Sequence, residues 1–286
     1  MVEKKKETDS APHGPSLDER QERMAEERSS ANAHIIHEVI RKDGEEELRR
    51  TTSSLAWSGL AAGLSMGFSL VAEGLIHSHL PDAPWRPMLT KLGYSVGFLI
   101  VVLGRQQLFT ENTLTPIIPL LSRRDAATFK NVLRLWGVVL AANLVGAALF
   151  AWVIGRTEAF SPEARHSFGE IGREAMEGGF GKIMLEGVFA GWLIALMVWL
   201  LAGAKSGLVS IIVIITYLVG LAGLSHIIAG SVEAIYLVVT GAQSAARAAL
   251  GYIIPALLGN ILGGVSLVAA LNHAQVVAGG GKNEEG

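Results

Sequence analysis

The chain has 286 residues, half of them hydrophobic, a mean hydropathy of +0.39 and 17% charged residues, where a soluble domain carries about 25%. The net charge of −2 and the lack of a basic stripe with interleaved aromatics argue against a nucleic-acid partner, and the absence of cysteine excludes disulfides and thiolate metal sites. A membrane protein remains, and its 33 glycines suit close helix packing in lipid.

Residues 1–30 are rich in lysine, arginine and glutamate and lack the apolar core of a signal peptide, so they read as a disordered cytoplasmic tail. Residues 31–50 place Ile35, Ile36, Val39 and Ile40 on one helical face. This is an amphipathic helix on the membrane surface or on the protein's own cytoplasmic side, or else a regulatory gate.

Residues 51–273 form the transmembrane channel domain. A spanning helix needs about 20 apolar residues. Six candidates follow one another: Leu55–Ile76, Lys91–Leu121, Val132–Ile154, Ile183–Leu201, Leu208–Val239 and Ala248–Leu271. The second is broken by the polar "GRQQLFTENT", Gly104 to Thr113, and the fifth by "GLSHIIAGS". A polar, partly helical connection follows the third span, and residues 274–286 form a short cytoplasmic tail. Arg49–Arg50 and Arg123–Arg124 flank spans directly, which sets both termini on the cytoplasmic side of a bacterial inner membrane.

An internal repeat is legible. "NLVGAAL" begins at Asn143 and "NILGGVSL" at Asn260, 117 residues apart, and the same offset carries Phe109 onto His226. The two breaks therefore occupy equivalent places in two three-span halves. With both termini on one side, such halves are inverted relative to each other. Paired broken spans in inverted halves point to a substrate site near the bilayer midplane, because irregular backbone at that depth must be buried in protein or face a water-filled path.

"LFT" at Leu108–Thr110, "NLVGA" at Asn143–Ala147, "MVWL" at Met197–Leu200, the histidine of "GLSHIIAG" at His226 and "PALLGNILGG" at Pro255–Gly264 resemble, in order and spacing, the formate/nitrite transporter family. The resemblance runs from about Leu55 to Leu271. It implies an all-α membrane protein of six transmembrane helices. The fold would be aquaporin-like, with two inverted three-helix repeats and broken helices two and five. It also implies a homo-oligomer, a pentamer, with one pathway per protomer. Through that pathway a small monovalent anion or its weak acid passes, with or without a proton. Carried over by residue, the pathway threonine is Thr110 and the pathway histidine is His226. Gly191 and Gly230 stand where members commonly have asparagine, and "GRQQ" replaces a small residue followed by an acid. With the long N-terminal tail, these departures resemble the divergent YfdC-like branch of the family.

His226 is the one histidine well inside a predicted span; an imidazole there can donate a hydrogen bond to an anion, or serve as a satisfied core residue. Thr110 can contact the solute or cap a half-helix beginning near Asn112, whose N-terminus would face an anion. Arg105 is the sharpest oddity, since a charge at the centre of a span costs about 2.5–3.5 kcal/mol. It either pairs with Glu111, Glu73 or Glu233, or selects anions near a mouth of the pathway. Lys182 and Arg173 either attract anions or are solvated loop charges. Phe98, Leu108, Phe109, Phe189 and Trp192 are candidates for hydrophobic constrictions, and Asn143 and Asn260 for hydrogen bonds to neighbouring helices or half-helix ends. No Gly-flanked serine near a base, metal-ligand cluster or dinucleotide fingerprint is present, so no enzyme activity, cofactor or metal site is expected. The alternative function is a non-conducting or neutral-solute member acting as a membrane scaffold or regulatory protein.

Overall fold

The structure is a computed structural model that describes residues 33–269 and 273–274. The tail expected at 1–30 lies outside the described residues, as does most of that expected at 274–286. The regular structure of the described residues is all helical. Helix α1 covers Ala33–Arg49, α2 Thr52–His79 and α3 Arg86–Leu103, the last through a tighter turn at Lys91–Tyr94. After an irregular stretch come α4, Ile117–Arg123, and the long α5, Ala126–Arg156. Then follow α6, Pro162–Ala175; α7, Phe180–Gly203; α8, Leu208–Leu221; α9, Ile227–Val239; and α10, Ala245–Ser266.

Local chemistry sets these boundaries. The side chains of Thr51, Asp125 and Ser161 accept the amides of Ser54, Thr128 and Ala164 at 3.2, 2.8 and 3.3 Å, which caps α2, α5 and α6. Pro162 then occupies the first turn of α6, where its missing N–H costs nothing. At the first break the chain leaves α3 and passes Arg105, a non-glycine residue with φ of 48°. At the second, Gly223 takes φ of 63° between α8 and α9, a left-handed turn open to glycine.

Five stretches, α2, α3, α5, α7 and α10, are long and apolar enough to cross a membrane. The sequence reading counted Leu208–Val239 as one span. The structure divides it into α8 and α9, of 14 and 13 residues. At 1.5 Å per residue each is roughly 20 Å long, short of a hydrocarbon core of about 30 Å.

Tight helix pairs hold the bundle. Gly187 and Gly191 on α7 face Gly259 and Gly263 on α10, each pair four residues apart. A Cβ on Gly191 or Gly259 would strike the facing backbone, so the axes approach closely, as small-residue interfaces in lipid allow. Helices α2 and α5 pack likewise through Gly63 and Gly146. Helix α6 seats Phe168 against Phe160 and Tyr236, with ring centroids 5.5 and 5.8 Å apart. Helix α1 lies at the opposite end, on α4 and α7. Arg123 reaches Glu45 of α1 at 2.7 Å, and Arg134 of α5 donates to the carbonyls of Leu48 and Arg50 at 2.8 and 3.0 Å, closing the C-terminus of α1.

Candidate functional site

Two asparagines fasten the breaks to the bundle. Asn143 Oδ1 accepts the amide of Phe109 at 2.9 Å, and its Nδ2 donates to the carbonyls of Gly59 and Gln107 at 2.7 and 2.9 Å. Asn260 Oδ1 accepts the amide of Ile227 at 2.8 Å, and its Nδ2 donates to the carbonyls of Gly187 and Ser225 at 2.9 and 2.8 Å. Both side chains are fully buried. Each satisfies two backbone groups of a break that lipid could not, and ties them to a carbonyl of a neighbouring helix. The bonds also refine the offset read from the sequence. The equivalent of Phe109 is Ile227, so His226 corresponds to Leu108, because the amide-to-asparagine separation is 34 residues in one half and 33 in the other.

The breaks meet at one bond. Thr110 Oγ1 lies 2.8 Å from His226 Nε2, with both residues fully buried. The other ring nitrogen, Nδ1, accepts the amides of Ile228 and Ala229 at 3.3 and 3.2 Å. An acceptor Nδ1 places the ring proton on Nε2, so the imidazole donates and the Thr110 oxygen accepts. The Thr110 hydroxyl hydrogen is left to donate elsewhere.

Two expectations about half-helix ends are corrected here. Thr110 makes no side-chain cap, since its hydroxyl is turned to His226, and α4 begins only at Ile117. The first amides of α9 are occupied by Asn260 Oδ1, by His226 Nδ1 and, for Gly230, by the His226 carbonyl at 3.0 Å. They are not free for a solute, so the polar groups that face the junction are side chains.

Around that bond the walls are apolar. Phe98 meets the His226 ring edge to face, centroids 4.9 Å apart, and Tyr94 lies beyond it at 5.4 Å. On the other flank Phe109 packs against Trp136 at 5.8 Å, with Leu108 buried beside it. Phe189 and Trp192 do not join them. They are 45% and 36% exposed, because the buried stripe of α7 runs through Ile183, Gly187, Ala190, Gly191 and Ile194 and turns positions 189 and 192 outward.

Arg105 is exposed and forms no ion pair among the described residues. None of the three expected acids pairs with it. It faces Asp43 of α1, whose carboxyl burial raises above the usual range while the arginine pulls it back down. Glu111 is half-buried, with its Oε1 buried and unbonded among the described residues. Above it lies Glu47 of α1; burial raises the Glu47 carboxyl, against the pull of Arg50. Lys182 reaches only Glu186, at 3.5 Å, and the Glu177 carbonyl, at 3.3 Å, on the surface, and Arg173 is exposed.

At the α6 end a cavity of about 50 Å³ opens beside the junction. Lys91 Nζ sits 3.0 Å from Glu73 Oε2 and 3.6 Å from Glu174 Oε2, and Glu233 lines the same space. Tyr252 Oη donates to the His226 carbonyl at 3.3 Å and overlies Gly230, where any Cβ would collide with its phenol. Gly191 is equally constrained by the Asn260 backbone. The two glycines that stand in place of asparagine are thus demanded by their neighbours. Sequence reasoning missed Lys91 and Tyr252. Lys91 looked like a charge at the start of a span, and nothing in the residues near Tyr252 links it to Gly230.

Residues 34–274 match the family model described as formate/nitrite transporter. The inner membrane protein YfdC of Escherichia coli (strain K12) is 40% identical over 251 residues, covering 88% of this chain and 81% of that protein. The uncharacterized transporter YrhG of Bacillus subtilis (strain 168) is 26% identical over 246 residues, 82% of this chain and 90% of that one. Among solved structures, a pentameric formate channel with formate bound superposes with a TM-score of 0.64 at 22% identity, covering 83% of this chain and 99% of its own. An ion channel of the same family gives 0.69 at 16% identity, covering 83% and 98%. These two likenesses place the fold.

Proposed function

Since the chain belongs to the formate/nitrite transporter family, we propose that it passes a small monovalent anion, or its weak acid, through the centre of each protomer of a homopentamer in a bacterial inner membrane. The observation that carries this reading is the buried Thr110–His226 bond where the two breaks meet. A donor-rich point flanked by apolar rings suits a solute that must shed water yet keep a hydrogen bond. The anion enters between Thr110 and His226, taking the free hydroxyl hydrogen of one and the Nε2 hydrogen of the other. Where a proton joins it, the neutral acid crosses the apolar flank at lower cost than the ion. Phe98 forms the constriction toward α6, and Leu108 with Phe109 that toward α1. Arg105 stands outside the narrow part as a charge at the α1 mouth, and half-buried Glu111 lies beneath the same mouth.

The matching asparagine bonds support two inverted halves of three spans each. In this reading α3 with α4, and α8 with α9, are the broken spans two and five. Arg49, Arg50, Arg123 and Arg124 at the α1 end support a cytoplasmic position for that end.

Reconstitution tests the proposal. Liposomes carrying the full chain should move at least one of formate, nitrite, hydrosulfide or chloride faster than empty liposomes in stopped flow. Replacing His226 with Phe should abolish that flux. A second reading, a non-conducting membrane scaffold, is favoured by Gly191 and Gly230 in place of the family's common asparagines and by Arg105 in the first break. It prevails if none of these anions, nor glycerol, moves.

A further inference from the structure

The cavity at the α6 end has a charge balance that an anion pathway does not call for. Glu73, Glu174 and Glu233 surround a single ammonium, that of Lys91. Lys91 Nζ is divided between Glu73 and Glu174, at 3.0 and 3.6 Å. Glu233 is 5% exposed, lines the cavity and has neither hydrogen bond nor ion pair among the described residues. Lys91 attracts Glu233 too but is shared among three carboxyls, and a buried carboxylate so weakly compensated is costly. A mobile counter-ion is one way to complete the balance.

We propose that this cavity binds a small monovalent cation of the ammonium class against Glu233. The lining has the matching chemistry. Tyr94 and Tyr252 border the space and bring aromatic rings to a cation. Ser225 Oγ donates its own hydrogen to Glu186 at 3.0 Å, which leaves its lone pairs to accept from a bound N–H. A single water needs roughly 10–15 Å³ of the same kind of space. At about 50 Å³ the cavity holds an ammonium ion with a water or two, whereas a tetraalkylammonium has no N–H to give Glu233 or Ser225. Its position has a consequence for transport. Tyr252 joins the cavity wall to the His226 carbonyl, so a cation on Glu233 would offset the carboxylates that otherwise oppose an anion approaching the junction.

The site is read from the cavity and does not depend on which solute crosses the junction. The test uses the full chain in nanodiscs at constant ionic strength and about pH 7.5, with ammonium chloride replacing N-methylglucamine chloride, followed by thermal unfolding and isothermal titration calorimetry. Ammonium should raise the unfolding midpoint with dose and give a saturable binding heat, and tetramethylammonium should do neither. Glu233→Gln should weaken ammonium binding by at least about tenfold, and the exposed control Glu163→Gln should not. If Glu233→Gln fails to fold, Tyr94→Leu serves instead, with at least about threefold weaker binding expected. Equal midpoints and no saturable heat for the unmodified chain in the two salts overturn the proposal, as does full ammonium binding by the Glu233→Gln or Tyr94→Leu variant. Ammonium binding in a protein that moves no anion would leave this site standing and remove the anion reading.

Discussion

Each residue of the junction has a bond whose loss can be measured. Thr110→Val keeps the shape of the side chain and removes its hydroxyl. One buried hydrogen bond is worth about 1–1.5 kcal/mol. Anion flux through Thr110→Val liposomes should therefore fall about tenfold, with an unchanged far-UV circular-dichroism spectrum separating this from misfolding. The asparagines act on folding instead. Asn260→Ala strands the Ile227 amide and the Gly187 and Ser225 carbonyls, all buried, so it should cost about 2–4 kcal/mol in a denaturant titration of the purified chain. Gly230 makes a sharper case. Gly230→Asn, which restores a residue common in the family, should destabilise by about 1–3 kcal/mol because Tyr252 fills that space. Adding Tyr252→Ala should recover part of the loss. The sequence marked position 230 as unusual, and only the phenol above it gives the reason.

At the scale of elements, α1 is held at its end of the bundle by contacts that respond to pH. His37 Nε2 lies 3.2 Å from His273 Nδ1, a bond that needs at least one neutral ring. Burial, then the neighbouring His273, lowers the His37 pKa below its usual value, with Arg41 and His34 pushing the same way and Glu38 opposing them. A folded state that takes up protons less readily than the unfolded one loses stability as they are added. Docking of α1 should be full above about pH 6.5 and weaken below it. Amide exchange over residues 33–49, corrected for intrinsic rate, should be faster at about pH 5.5 than at about pH 7.5, and His37→Phe should flatten that difference. The apolar face of residues 31–50 was readable as a helix that needed a partner. Which partner it found rests on Arg123, Arg134 and His273, distant in sequence. Phe189 and Trp192 carry the opposite lesson. Both are aromatic and near the right depth, yet the glycine stripe that draws α7 onto α10 turns them away from the junction.

For the whole molecule, membrane class and family were legible in the order of the chain. Spans declare themselves by length and hydropathy, because lipid requires about 20 apolar residues whatever they pack against. The breaks declare themselves because polar residues in such a run need protein or water around them. The proposed homopentamer leads to a whole-molecule prediction: native mass spectrometry of the detergent-extracted chain should give five copies. A dominant monomer or dimer would set aside the pentamer. Local composition thus determined that the chain enters a membrane and where it breaks, and the family resemblance of its motifs singled out Thr110 and His226. The tertiary structure alone decided that these two side chains bond to each other, that the first amides of α9 are occupied, that Arg105 is exposed with no ion pair among the described residues, and that Lys91 is the base answering Glu73 and Glu174. The reason is physical. Transfer into lipid depends on the side chains of one segment, whereas a hydrogen bond or ion pair depends on where a second segment places its partner.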